Sequence, residues 1–337
     1  MELARLDVYL KGAIPGYVGP LSLKQFSAGR SNPTYLVETP HRRYVLRRRP
    51  EGKLLKSAHA VDREFRVQSA LKDSGVPVPR ALVLCEDESV IGSAFYVMEH
   101  VEGRLFLDST LPGVSREERA AMFDSVNATL ARLHTLDVDA LGLGDFGRPG
   151  NYFARQISRW STQYAASKTE DIPEMDRLMA WLPGAVPAEE RARVVHGDFS
   201  LHNLLIHPSE PRVVAVLDWE LSTLGEPLGD LYYHAMEWYR PPGVDPRGCL
   251  NAVDRAALGI PDLDAYVARY CERAGRPLPR DPRFHRAYNL FRVAAIIQGI
   301  VGRVRDGTAS PEFASMAERV RPLAVAAWQE AREAGAS

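Results

Sequence analysis

The chain has 337 residues, 45% of them hydrophobic, and carries 42 Lys and Arg against 43 Asp and Glu, a formal charge of −1. That is apolar content enough for one large domain or two lobes, and the balanced charge gives no electrostatic case for a nucleic-acid partner. Three widely spaced cysteines, Cys85, Cys249 and Cys271, form neither a disulfide framework nor a paired metal motif. They read as reduced thiols of a cytoplasmic protein. Met1 to Leu10 carries acids and no long apolar core, which argues against a signal peptide. The apolar run Val293 to Val301 is short and interrupted by Gln298 and Gly299, so no membrane partner is expected.

Short β-type runs dominate the first hundred residues. Leu21 to Phe26 and Thr34 to Glu38 flank a turn at Ser27 to Pro33, and Arg43 to Arg47 reads as the next strand. A helix is predicted over Ala58 to Leu71, with Val61, Phe65 and Leu71 on one stripe. Val76-Pro77-Val78-Pro79 stops it, and extended segments follow at Ala81 to Cys85 and Ala94 to Glu99. Beyond His100 the pattern turns helical. Met122, Val126, Leu130, Leu133 and Leu136 form an amphipathic stripe, and further helices are predicted over Tyr152 to Ala165, Leu228 to Tyr239, Leu263 to Ala274 and Phe284 to Arg305.

The most informative segment is Val195-His196-Gly197-Asp198-Phe199-Ser200-Leu201-His202-Asn203, followed by Leu217-Asp218-Trp219-Glu220. The runs Arg193 to Val195, Leu204 to Ile206 and Val213 to Leu217 read as strands, the last two joined by a Pro-containing hairpin at His207 to Pro211. Mg²⁺ prefers hard oxygen ligands and takes one or two carboxylates beside phosphate oxygens and water. Asp218 and Asn203 supply such a pair, which leaves Asp198 to accept a proton from a substrate hydroxyl. His196 and His202 flank Asp198 without a third ligand at metal spacing, so orientation of the backbone fits them better than zinc.

This acid, amide and acid order resembles the catalytic loop and metal segment of the aminoglycoside-phosphotransferase-like kinases, relatives of the protein kinases. The resemblance implies an α+β, protein-kinase-like bilobal fold, with an N-terminal antiparallel sheet lobe over residues 1–100 and a mainly helical C-terminal lobe over 101–337. It implies Asp198 as catalytic acceptor of the hydroxyl proton, Asn203 and Asp218 as metal ligands, and ATP with Mg²⁺ as cofactors. Arg47, in Tyr44-Val45-Leu46-Arg47, stands where protein kinases place a strand Lys, with Glu64 as its ion-pair partner. An Arg there grips phosphate in a planar fork but is bulkier than Lys; the other reading is a solvated run, Arg47 to Arg49. Gly29 and Ser31, in the turn before the second strand, are placed for phosphate contact or for a plain hairpin. Met98, Glu99 and His100 look like the hinge that reads the adenine edge. Asp230, in Gly225 to Leu231, resembles the residue that braces the catalytic loop; a helix N-terminal carboxylate is the simpler alternative.

A narrower resemblance extends over nearly the whole chain. Tyr44 to Pro50, Ser57 to Phe65, Val76 to Pro79, Val90 to Glu99 and Glu102-Gly103 look like the branch of these kinases found fused to, or partnered with, acyl-CoA dehydrogenases. It implies a small-molecule alcohol acceptor, an acyl-CoA thioester and in particular a 4-hydroxyacyl-CoA as that substrate, and an acyl-CoA dehydrogenase as functional partner. Between Leu231 and Arg305 there are twelve Arg, no Lys and seven acids, a local excess of five positive charges. Arg240, Arg247, Arg286, Arg292 and Arg303 are the candidates for an anionic acceptor, and scattered surface charge is the alternative. An aminoglycoside or other amino-alcohol kinase is the rival enzyme, and a nucleotide-binding pseudokinase the non-enzymatic one.

Overall fold

The computed structural model describes residues 2–26, 32–50, 60–148, 150–188 and 191–337. The chain opens with helix α1 (Leu3–Ala13) and strands β1 (Ser22–Gln25), β2 (Thr34–Glu38) and β3 (Arg43–Arg48). Helix α2 (Val61–Leu71) and strands β4 (Ala81–Cys85) and β5 (Phe95–Glu99) complete an antiparallel sheet in the order β1-β2-β3-β5-β4. Period-two alternation sorts the side chains of the central strands between two faces. Tyr44, Leu46, Phe95 and Val97 join Leu6 and Leu10 of α1 in one core, while Val45, Tyr96 and Met98 join Val61 of α2 in another. Arg47 follows the second set and stands opposite Tyr96 in the β3–β5 register. Leu6 and Leu10 are both fully buried, and each stabilises the α1–sheet contact by about 2 kcal/mol.

The connection His100 to Gly103 leads to β6 (Arg104–Leu105), which pairs with β8 (Leu204–Ile206). Next come α3 (Arg116–Thr135), α4 (Tyr152–Ser167), α5 (Pro173–Trp181) and β7 (Arg193–Val195). Past β8 lie β9 (Val213–Val216), β10 (Thr223–Gly225), α6 (Pro227–His234), α7 (Arg255–Leu258), α8 (Leu263–Ala274), α9 (Arg283–Arg305) and α10 (Val320–Glu333). Strands β6-β8-β9 make one small antiparallel sheet, and β7 pairs with β10 rather than with β8. Two apolar cores fill this portion: α3, α8 and the small strands in one, α4, α5, α9 and α10 in the other.

Several predicted bounds move. The helix expected over Ala58 to Leu71 starts at Val61, its first two predicted residues lying outside the described ones. The helix expected over Leu228 to Tyr239 ends at His234 and continues as a 3₁₀ turn over Ala235–Trp238. Helices α1, α5, α7 and α10 were not anticipated. Among the described residues no helix is long and apolar enough to cross a membrane, and the three cysteines are buried.

Candidate active site

The loop after β7 is held from below. Gly197 has φ +82°, and a Cβ there would lie 2.6 Å from the Leu221 carbonyl oxygen, so the turn requires glycine twice over. Asp230, fully buried on α6, accepts the amide hydrogens of His196 and, at 2.9 Å, of Gly197. Burial alone would raise its carboxyl, but His134, 3.4 Å away, and the loop amides hold it below the ordinary carboxylate value. Asp230 therefore braces the loop, beyond any service to the helix terminus. His196 ties this loop to the Leu217–Asp218 segment: its Nδ1 accepts from the Asp198 amide at 3.2 Å, which assigns the ring proton to Nε2, 2.8 Å from the Leu217 carbonyl. The Leu217 amide in turn donates to the Asn203 carbonyl at 2.8 Å.

Asp198 is gripped at both oxygens. Asn203 Nδ2 donates to its Oδ2 and to its main-chain carbonyl, each at 2.9 Å. With the amide nitrogen so committed, Asn203 Oδ1 is left as a hard oxygen acceptor. Tyr233 Oη donates to Asp198 Oδ1 at 2.5 Å. Asp218 follows β9 in the left-handed region, φ +63°, and its side chain is 30% exposed. His202 contacts Ser200 Oγ at 3.0 Å and Arg247 at 3.0 Å; burial lowers its basicity, so it is a neutral ring in the loop.

Arg47 joins the sheet to this loop. It lies 3.2 Å from Glu64 Oε2, 2.7 Å from Asp218 Oδ1 and 3.6 Å from Glu220 Oε2. It is buried, so the reading of Arg47 as part of a solvated charge run does not hold. Glu64 is fully buried and also accepts from Asn32 Nδ2 at 2.7 Å and Tyr96 Oη at 3.1 Å. Burial pushes the Glu64 carboxyl up to about 7 against the pull of Arg47. Burial would lower Arg47, but Glu64 and Asp218 hold it above its ordinary value, so the guanidinium keeps its charge.

A cleft of about 490 Å³ runs between these groups, lined by Val45, Arg47, Met98, Glu99, His100, Asn203, Leu205 and Asp218. Gly29 and Ser31 lie outside the described residues. The five watched arginines do not converge. Arg240 is buried between Glu237 and Asp245, Arg286 faces Glu330 at 3.7 Å, and Arg303 is exposed. Arg247, 41% exposed, and Arg292 do lie beside the catalytic loop. Tyr233, Asn32, Glu220 and His134 were missed. For Tyr233 a signal existed: it lies one helical turn beyond Asp230 and so shares its face.

A five-stranded antiparallel sheet over a helical portion, with Asn203 and Asp218 lining the cleft between and Asp198 hydrogen-bonded to Asn203, defines a kinase-like phosphotransferase. The chain belongs to the phosphotransferase enzyme family, whose signature matches residues 22–288. Membership makes it an ATP-dependent phosphotransferase with an alcohol group as acceptor. It is 43% identical to mouse Acyl-CoA dehydrogenase family member 10 over 98% of its own length and 40% identical to human Acyl-CoA dehydrogenase family member 11 over 95%. It spans only 31% and 42% of those two proteins. A solved structure from Ralstonia eutropha JMP134, provisionally assigned as an aminoglycoside phosphotransferase, superposes with a TM-score of 0.90 at 49% identity over 98% of each chain. Aminoglycoside phosphotransferase APH(4)-Ia, a mutant of which was solved with AMP-PNP and hygromycin B, shares the fold at a TM-score of 0.61 and 18% identity, over 96% of this chain and 98% of its own.

Proposed function

We propose that the chain transfers the γ-phosphoryl group of Mg-ATP to the hydroxyl of a 4-hydroxyacyl-CoA. The observation that carries the transfer chemistry is the two-sided grip on the Asp198 carboxylate beside Asn203 and Asp218. Asp198 orients the alcohol and takes its proton as the alcohol oxygen bonds to phosphorus and ADP leaves. Asn203 Oδ1 and Asp218 would hold Mg²⁺, which when bound supplies positive charge to the phosphate oxygens. The donor set, one amide oxygen and one carboxylate, fits Mg²⁺, which takes its other ligands from phosphate and water. Arg47, kept charged and aimed by Glu64, offers its guanidinium to the phosphates, and Met98, Glu99 and His100 line the adenine end. This reading assigns the nucleotide lobe to residues 1–100 and the acceptor lobe to 101–337. Positioning and fixed charge supply most of the acceleration.

Two findings support the acyl-CoA acceptor. The mammalian relatives carry acyl-CoA dehydrogenase names over chains more than twice as long, which suits a dehydrogenase as functional partner. Glu237 and Asp245, on the segment whose Arg247 reaches His202, are taken up by Arg240 and Arg247. A polycationic aminoglycoside needs unpaired acids there. The bacterial relative's assignment keeps the aminoglycoside reading as the alternative.

The test is ADP release with Mg-ATP and 4-hydroxyacyl-CoA, the free hydroxy acid or kanamycin, each beside Asp198→Ala. We expect turnover with the thioester alone, and a loss of at least about 1000-fold in Asp198→Ala with nucleotide affinity retained. Turnover with kanamycin alone would overturn the substrate. Near-normal turnover in Asp198→Ala would overturn the base.

A further inference from the structure

Tyr233 reaches the reacting carboxylate from outside the sequence motif. Asp230 and Tyr233 leave the same face of α6, the first taking the loop amides and the second taking Asp198 itself. Asp198 Oδ2 accepts from Asn203, and Oδ1 accepts from Tyr233. A carboxylate oxygen offers about two lone-pair sites, so one remains at Oδ1 when the phenol is in place. The final torsion of an Asp side chain is broad and weakly restrained. Two donors on opposite oxygens pin it.

Tyr233 is itself fixed. The guanidinium of Arg292, buried on α9, lies 4.8 Å from the Tyr233 ring centroid and donates to the Gly197 carbonyl. Burial and the Asp198 charge push the phenol well above its ordinary value, so Oη keeps its proton and remains a donor.

We propose that Tyr233, backed by Arg292, is a positioning residue for Asp198. It sets the rotation of the carboxylate and occupies one lone-pair site of Oδ1, so that the site left on that oxygen is met by an anchored alcohol and not by loose water. Transfer to the alcohol thereby prevails over hydrolysis of ATP. The inference rests on Asp198 as the base.

Tyr233→Phe keeps the ring and its Arg292 contact and removes the donor. Transfer to 4-hydroxypentanoyl-CoA and ADP release from ATP in buffer alone are measured side by side. The expected result is a fall of about 10- to 100-fold in kcat for transfer, with KM for ATP within about twofold. The ratio of hydrolysis to transfer rises by about tenfold or more, and adding Asp198→Ala removes the extra hydrolysis. An equal fall in both rates, or no change in either, would overturn the proposal and leave Tyr233 a packing residue. Should the Phe variant not fold, 3-fluorotyrosine at 233, a stronger donor of nearly the same shape, must lower the ratio; an unchanged ratio overturns the proposal. If the wild type uses no thioester but still hydrolyses ATP through Asp198, the substrate assignment fails. The hydrolysis rates then decide Tyr233 alone, and no rise in the Phe variant overturns it.

Discussion

Arg47 and Glu64 show how far one residue's surroundings depend on distant chain. Removing one member of a buried ion pair leaves the other's charge uncompensated, at about 3 to 5 kcal/mol. Asp218 and Glu220 remain beside Arg47, and burial already raises the Glu64 carboxyl to about 7, so Glu64→Gln should cost less than that, about 1 kcal/mol of unfolding free energy through its lost hydrogen bonding. It should also raise KM for ATP about tenfold as the guanidinium swings toward Asp218. Urea unfolding and initial rates check both, and a variant as stable as wild type would show that Arg47 does not rely on Glu64. Asp198, Asn203 and Asp218 were legible as a linear motif because a single loop and hairpin carry them. Asn32 and Tyr233 were not, and Arg292 stood out only as part of a charge excess, since each meets the site across at least 32 residues of sequence. The arginine excess was a tally along the chain, whereas the pairing of Arg240 and Arg286 belongs to the folded state.

Among the elements, β6 sets the hinge. Gly103 lies so close to β8 that a Cβ would meet the Ile206 carbonyl oxygen at 2.8 Å. Gly103→Ala should therefore displace the His100 to Gly103 connection from the cleft. We expect a loss of about 1 to 3 kcal/mol in stability and weaker binding of an ATP analogue by calorimetry; affinity equal to wild type would exclude a role for this contact in shaping the hinge. Strands with alternating or continuous apolar runs were readable, and β2 has the predicted bounds. Helix α10 escaped because its buried face is largely alanine, at 324, 327 and 331, which gives a weak periodic signal. Helix α1 buries only Leu6 and Leu10. Strand β6 is two residues long and exists through its pairing alone.

The whole molecule should be acid-sensitive for a reason separate from catalysis. Burial lowers His234 to about 4, and burial with the Arg276 charge lowers His285 to about 3, both from 6.5. Unfolded, both take up protons below about 6.5, while the native state stays neutral, so the stability present above 6.5 is lost as pH falls toward those native values. Between pH 7.5 and 5 the two together should cost about 4 kcal/mol. Guanidinium unfolding at both values measures it, and His285→Phe, which cannot titrate, should show about half the drop. An undiminished drop in that variant would place the proton uptake elsewhere.

Arg47 has a last consequence, for how such a sequence drifts. Its planar fork serves Glu64 on one side and Asp218 on the other, with Glu220 near. A lysine, a single point charge on a flexible stem, cannot satisfy that geometry. Exchange to the protein-kinase residue is therefore epistatic: it becomes tolerable only after an acid around it has changed. Position 47 should covary with 220 in descendants of this chain, and its arginine is an inherited commitment as much as a local choice.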